Sequence, residues 1–378
     1  MIYDIIIIWW WASGLFCALN APKESSKLIL EKQWNLWTKI LMSGWWRCNF
    51  SNTEISPEKY FGDNKKMLPS VFHKFNNNEM LNFLESNWVK TQQEDNGRLI
   101  LKSWKAQELL DLLIKKTKDN QTEIKLNQEI MSIHQTSPIS LEEKGIGGEV
   151  NFIINTQEEE FKCRKLIIAT GWVSHPNSGT NWYWLDIAKQ FELKITKPYP
   201  ALCGIETQED LSNLSWSSII AEIKLYNNSK IIYQQTWNLL FTHRWLSGPV
   251  IFNTTVALWE YLSKKSKYNT DYIQTNTHIE INIPDDQITK RLKQSDLLIT
   301  DISNNSNNIS LKIKDITAIE TAKVSGWWIS MSEIKPNFES KKISNLYFIW
   351  ETLDITGQTG WFNLQRAWSS GYICGKNI

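Results

Sequence analysis

Little in this sequence points to a charged or membrane partner. Lysine plus arginine number 41 against 40 aspartate plus glutamate, a net charge of +1. Such a balance gives no basic footprint for nucleic acid and no acidic tail, so a small-molecule partner is expected, with no nucleic acid and no membrane. The five cysteines, Cys17, Cys48, Cys163, Cys203 and Cys374, show neither CxxC nor metal-ligand spacing. That excludes a disulfide framework and leads to the expectation of a reduced, cytoplasmic setting. His73, His134, His175 and His278 have no mutual spacing for a metal site. There is no apolar run of 18 residues: Ile5 to Leu19 is headed by Asp4, lacks a basic segment before it, and reads as a buried strand and helix. No internal repeat of useful period is present. Glycine is the most telling shortage. The chain has 16 glycines and 21 tryptophans, whereas glycine averages about 7% of ordinary chains and tryptophan is rare.

What is present is concentrated in the first fifty residues. Ile5 to Ile8 is a β-branched run suited to a strand buried on both faces, and Ala12 to Ala21 can cross back over it as a helix. Leu28 to Leu30 makes a second parallel strand ending in Glu31. This is the layout of a dinucleotide-binding unit, with an acidic residue about twenty positions after the turn to accept from a ribose hydroxyl. The turn departs from that layout. It should carry glycines at its first, third and sixth positions, for the sharp bend, the approach of a pyrophosphate and close helix–strand packing. Instead it reads Trp9, Trp10, Trp11, Ala12, Ser13, Gly14.

The same departure recurs along the chain. LWTKILMSGWWRCNFSN from Leu36, IIATGWVSHPNSGT from Ile167, LLFTHRWLSGP from Leu239, VSGWWIS from Val324 and YFIWETLDITGQTGWFNLQRAWSSGY from Tyr347 resemble phrases of the BaiN/RdsA-like (aminoacetone-oxidase-like) FAD-dependent oxidoreductases. In each case the difference is a tryptophan written where the family has glycine. We therefore read these positions as glycine, with UGA decoded as tryptophan in a lineage that uses it for glycine. The abundance of Lys, Asn and Ile, whose codons are AT-rich, agrees with such a genome. Restoring every tryptophan except Trp368 would bring glycine to about one residue in ten, which suits a nucleotide-binding fold. Taken literally, the sequence would instead describe a Trp-rich non-catalytic binding protein or an inactive flavoprotein paralogue.

The resemblance implies an α/β fold: a glutathione-reductase-type, Rossmann-like FAD domain with an inserted, mostly β domain. The expected division is 1–193 and 323–378 for the FAD domain and 194–322 for the inserted cap or substrate domain. Within it, Leu68 to Ser86 and Lys105 to Lys116 have helical spacing, and Glu123 to Leu126 resumes the parallel sheet. Glu149 to Asn155 and Glu160 to Ile168 read as a small meander. Ser217 to Leu225 and Lys230 to Gln234 are strands of the insert, and Val250 to Tyr261 is a helix. Leu346 to Ile349 is a returning strand, and Phe362 to Cys374 is the last helix.

The resemblance also assigns candidate roles. Trp9, Trp11, Ser13 and Gly14 are the pyrophosphate turn, and Glu31 with the neighbouring Lys32 sits at the ribose end. Ile130 lies where family members touch the adenine. Lys39, Arg47, Cys48 and Asn49 belong to the loop that contacts the cofactor, and Arg47 can offer a fork of donors. Thr170, Gly171 and Trp172 form the ATG phrase. Glu351 and Asp354 are acidic positions of the closing phrase, Asp354 accepting from the ribityl chain. Gly360 and Trp361 close the glycine-rich turn that binds the cofactor, and Asn363, Leu364 and Gln365 start the last helix, whose amides and positive dipole end would face the flavin. His243 is a candidate acid or base because its ordinary pKa lies near neutrality, and Cys48 is a weaker catalytic candidate. The flavin chemistry implied is hydride transfer to or from a small organic substrate. No second nucleotide phrase exists, so NAD(P)H, if used, docks transiently.

Overall fold

The computed structural model describes residues 1–9, 11–34, 39–42, 47–62, 64–136, 150–170, 183–196, 199–265, 269–301, 306–326 and 329–378. The chain forms two compact units. One comprises Met1–Trp172, Pro176–Thr196 and Trp327–Ile378, and the other is built from Lys197–Gly326.

The first unit is organised on a seven-stranded mixed sheet. Ile2–Ile8 lies between Lys27–Leu30 and Glu160–Ile168, parallel to both. Thr122–Lys125 extends the sheet beyond Lys27–Leu30, and Leu346–Phe348 pairs in parallel with Leu166–Ile168. Phe152–Thr156 and Ile130–Gln135 follow as antiparallel strands on the other side. Ile5, Ile6, Ile7 and Ile8 are all fully buried, which is what a continuous β-branched run without polar alternation requires.

Two helices cover the central strands. The first helix, Ala12–Asn20, and the last helix, Gly360–Lys376, pack at close range because the last helix presents glycine to the first. A Cβ on Gly371 would fall 2.6 Å from the Ser13 carbonyl oxygen, and one on Gly375 would fall 2.5 Å from that of Cys17. The return from the first helix to its strand is tied by Lys27. Its ammonium is buried and donates to the carbonyls of Pro22, Lys23 and Ser25 at 2.6, 3.2 and 2.8 Å.

Several boundaries differ from the sequence expectation; the helix expected over Val250 to Tyr261 spans Pro249–Lys265, and the strand expected over Glu149 to Asn155 is Phe152–Thr156. The stretch expected as one helix from Leu68 to Ser86 is two helices, Leu68–Lys74 and Asn77–Ser86. Phe75 is extended, and Asn76 starts a new capping box with Glu79, a local pairing that outcompetes helix continuation. The last helix begins at Gly360 rather than Phe362. The strand expected over Lys230 to Gln234 runs on to Phe241, because its partner Ser218–Asn227 offers a matching ladder along that length.

The second unit is a seven-stranded antiparallel sheet that curls on itself. Ile205–Thr207 bonds both to Trp245–Ser247 and to Ser306–Ile316, so every strand except the edge strand Ile299–Asp301 joins a closed ring. Closure removes the exposed edges that an open sheet of this kind would carry. The core is aliphatic, from Ile219, Ile223 and Leu225 to Ile279, Ile281 and Leu311, and the helix Pro249–Lys265 packs against it with Val250, Ile251, Leu258 and Leu262. Among the described residues no helix is long and apolar enough to cross a membrane.

Candidate cofactor site

The parallel strands end level with one another. Ile8 lies opposite Leu30 and Ile168, and Ile168 lies opposite Phe348. The alignment continues one residue further. The Trp9 amide donates to Leu30 O at 2.8 Å, that of Ala169 to Ile8 O at 3.1 Å, and that of Ile349 to Ile168 O at 3.1 Å. Trp9, Glu31, Thr170 and Trp350 therefore leave the carboxyl edge of one sheet, which is where open α/β sheets bind ligands.

At that edge Glu31 is buried, only 2% exposed. Its carboxylate accepts from the Gln33 amide at 2.8 Å, and its carbonyl accepts from the Gln128 amide at 2.8 Å. Lys32 turns outward to Glu129 at 2.6 Å, and Ile130, the first residue of the strand Ile130–Gln135, is buried. Gly14 is fixed by space. A Cβ there would lie 2.3 Å from the Trp9 carbonyl oxygen and 3.4 Å from the Ala169 Cβ.

Among the buried polar atoms of this unit that have no hydrogen-bond partner among the described residues are Ser13 Oγ, Asn49 Oδ1, Thr170 Oγ1 and Thr359 Oγ1. Leaving such groups unsatisfied costs about 1–3 kcal/mol each, a cost that a polar ligand at the strand ends would offset. Ser13 is in the first turn of the first helix, Thr170 follows a strand end, and Thr359 precedes the last helix. This donor set fits a dinucleotide. The apolar filling does not. Trp9, Trp11 and Trp350 are 2%, 3% and 2% exposed. The Trp9 and Trp11 rings stack at 6.1 Å, and Trp11 meets Trp350 at 4.9 Å. The indoles thus fill the ground over the strand ends that a pyrophosphate would need.

The first turn of the last helix lies earlier in the sequence than expected. With Thr359 as the capping residue, the first-turn amides are those of Gly360, Trp361 and Phe362, and a Cβ on Gly360 would meet nothing within 4 Å. The Asn363 amide donates back to Thr359 O at 3.3 Å, while those of Leu364 and Gln365 fall inside the helical ladder. The side chains of Asn363 and Gln365 are structural. Asn363 closes the Gly357–Thr359 turn through the Gly357 amide at 2.9 Å and the carbonyls of Gly357 and Thr359 at 3.1 and 3.0 Å. Gln365 accepts from Ser51 Oγ at 2.6 Å, which docks the strand Asn49–Asn52.

Glu351 and Asp354 are both buried, 4% and 5% exposed, on the turn that follows Leu346–Phe348. The residue that holds this turn was missed in the sequence. Arg366 is buried in the last helix, and its Nη1 donates to Trp350 O at 2.6 Å. One turn later Ser370 Oγ accepts from the Trp350 amide at 3.2 Å. Burial pulls the Arg366 guanidinium down to about 10, opposed by attraction to Glu351, Tyr60 and Asp354. A lone arginine among the small and apolar residues of this helix was the available signal. Arg366→Met is expected to cost about 3 kcal/mol or more, because it removes the charged donor to the buried Trp350 carbonyl and the attraction the guanidinium supplies to the buried Glu351 and Asp354. Ser370→Ala, which removes one neutral bond, should cost about 1 kcal/mol. Urea unfolding of the two variants measures the difference.

The remaining candidates are dispersed. Arg47 is 3.6 Å from Glu94 and lies over the Trp104 ring at 5.0 Å. Cys48 is buried in a left-handed conformation, φ 57°, before the strand that carries Asn49. Lys39 opens a short helix, but its side chain lies outside the described set, as do Gly171 and Trp172. His243 belongs to the second unit. It is exposed on a hairpin turn in which Thr242 Oγ1 accepts from the Trp245 amide at 2.9 Å and donates to Trp245 O at 2.6 Å. No cluster of three or more potential metal ligands occurs among the described residues.

Comparison with known proteins agrees with this geometry. The chain is 26% identical to the ribosomal RNA dihydrouridine synthase of Escherichia coli (strain K12), over all of this chain and 98% of that protein. It is 23% identical to the 3-dehydro-bile acid delta(4,6)-reductase of Clostridium scindens, over 97% of this chain and 96% of that one. Its fold is similar to that of the 3-ketosteroid-delta4-(5alpha)-dehydrogenase of Rhodococcus jostii RHA1, with a TM-score of 0.55, 10% identity, and 99% and 96% of the two chains covered. The family model described as the HI0933-like protein Rossmann domain matches residues 3–377, and the chain belongs to that family of FAD-dependent oxidoreductases.

Proposed function

We propose that the natural protein, with glycine at its turn positions, binds FAD along the carboxyl edge of the first unit's sheet and reduces a carbon–carbon double bond conjugated to a carbonyl. The observation that carries the binding part is the set of unpartnered buried oxygens of Ser13, Thr170 and Thr359 at element ends, beside a buried Glu31. In this reading Gly14 and residues 9 and 11 admit the pyrophosphate, and Glu31 accepts from a ribose hydroxyl. The amides of Gly360, Trp361 and Phe362 face the flavin, with Asp354 as acceptor for its ribityl chain. Bound flavin would supply the hydride.

The acceptor class is supported by the chemistry in the relatives' names. A dihydrouridine product arises by saturating the double bond of a uracil ring, and a delta(4,6)-reductase saturates bonds conjugated to a ring ketone. Both are conjugate hydride additions, to the carbon β to a carbonyl or, for the far bond of a dienone, to the δ carbon, and in each the developing negative charge is delocalised onto oxygen. With a net charge of +1 the chain has little electrostatic pull on a polyphosphate backbone, so a small, largely apolar enone is favoured over RNA. NAD(P)H is proposed as a transient donor. His243, exposed to solvent, is a candidate proton donor to the α-carbon.

Trp9, Trp11, Trp350, Trp361 and Trp368 are buried, and the exposed Trp34, Trp88, Trp104 and Trp216 fall in four separate loops of the chain, a distribution that speaks against a protein that binds through a tryptophan surface. The test is anaerobic. The glycine version is reduced with NADPH or dithionite and offered a dienone steroid, a uridine-containing ribosomal RNA fragment, a saturated ketone and a primary amine. Re-oxidation of the flavin by the dienone alone is the expected result. Re-oxidation by the RNA fragment alone would move the substrate class to RNA, and no preference for a conjugated acceptor would sink the proposal. Failure of NADPH to bleach the flavin would remove it as donor.

A further inference from the structure

Five tryptophans among the described residues have left-handed backbones: Trp9 at φ 71°, Trp88 at 64°, Trp104 at 61°, Trp216 at 65° and Trp350 at 61°. Non-glycine residues reach this region infrequently, and when they do asparagine and aspartate lead. Here tryptophan outnumbers asparagine, with Asn96, Asn127, Asn228 and Asn345 the only asparagines among the described residues. Trp9 and Trp350 stand at the strand ends of the cofactor site. The other three do not, and each fills a different local role that calls for glycine.

Trp88 follows the helix Asn77–Ser86 and its cap Asn87. Its amide donates to Glu85 O at 3.0 Å and that of Val89 to Leu84 O at 3.0 Å. This pair of bonds is the Schellman closure, and its left-handed position is normally glycine. Trp216 is the third residue of a turn closed by the Ser217 amide on Leu214 O at 3.0 Å. Ser215 before it has φ −49° and ψ 135°, so the turn is type II, which demands positive φ at the next residue. Trp104 ends a turn closed on Leu101 O at 3.1 Å, the fourth position, where glycine is favoured. Trp88 and Trp216 are 93% and 74% exposed, so neither indole is held there by packing.

Loss of function in a paralogue would replace glycines where the cofactor binds and leave these surface turns alone. The turns instead carry the same residue as the cleft, and they occur in both units. We infer that the substitution is uniform and lies in decoding: the natural polypeptide has glycine at Trp88, Trp104 and Trp216 as well as at Trp9 and Trp350, and the protein has not lost its cofactor by mutation. Trp368 is the contrasting case. It is helical and fully buried, and its Nε1 donates to Phe50 O at 2.9 Å, so it is a true tryptophan.

Peptide mapping by mass spectrometry, on protein isolated from the cells that make it, tests this without reference to activity. Glycine at 88, 104 and 216, with tryptophan at 368, is the expected result. Tryptophan at the three surface turns would overturn the inference, including the case in which glycine appears only at 9 and 350. Glycine in the surface turns of a protein that holds no flavin would uphold the inference and count against the proposed function.

Discussion

Recombinant protein with glycine at every tryptophan position except Trp368 will be yellow, and the chain as written will be colourless. The physical basis is space and polarity together. In the written chain the rings of Trp9, Trp11 and Trp350 meet over the strand ends, with centroids 6.1 and 4.9 Å apart. No pyrophosphate can approach the first turn of the helix Ala12–Asn20 through them. Removing the indoles opens that ground while leaving the Ser13, Thr170 and Thr359 oxygens in place to be satisfied by a ligand. The expected change is from no measurable FAD binding to stoichiometric binding, read by the visible flavin band after gel filtration. Within the glycine version, Gly14→Ala should lose the band again, since its Cβ would stand 2.3 Å from the carbonyl oxygen of residue 9.

Identical substitutions at different tryptophans will change stability in opposite directions. At Trp88, Trp104 and Trp216 the left-handed backbone costs a non-glycine residue about 1–2 kcal/mol. Against this, glycine adds about 0.5–1 kcal/mol of unfolded-state entropy. Glycine at each turn should therefore stabilise by a few tenths to about 1 kcal/mol. That sign is unusual for a change to glycine and follows only from φ near 61–65° at these sites. Trp368→Gly should behave in the ordinary way. It removes a fully buried ring that packs edge-on against Phe16 at 5.6 Å and a bond to Phe50 O, and adds a glycine to a helix interior. A cost of about 4 kcal/mol or more is expected. Chemical unfolding of the triple turn variant and the Trp368 variant, each against the written chain, gives the two signs. A loss of stability in the turn variant would mean that the indoles contribute contacts that outweigh the strain.

Much of the first unit was legible because its signals are local. The run Ile5 to Ile8, the helix after it and Glu31 at the end of the next strand follow from residue type and spacing. Glu31 is buried at that strand end. Boundaries were less legible where a side-chain bond decides them. Asn76 breaks the stretch from Leu68 to Ser86 by capping, and Gly360 begins the last helix although a Thr-Gly pair reads as a turn. Closure of the second unit could not be read at all. The bonds from Ile205–Thr207 to both Trp245–Ser247 and Ser306–Ile316 join segments far apart in sequence with no residue type that marks them. Arg366 was hidden for a similar reason. Its partners at Trp350, Glu351 and Asp354 meet it only after the returning strand has paired, and a cation inside a helix otherwise reads as a solvated one.

The central claim is that this is an FAD enzyme whose turn tryptophans are glycines. Native mass spectrometry of the protein from its own cells measures both halves at once. The account predicts a chain lighter than the written sequence by the difference between twenty tryptophans and twenty glycines, carrying one non-covalent FAD. A chain with the written mass and no flavin would contradict it.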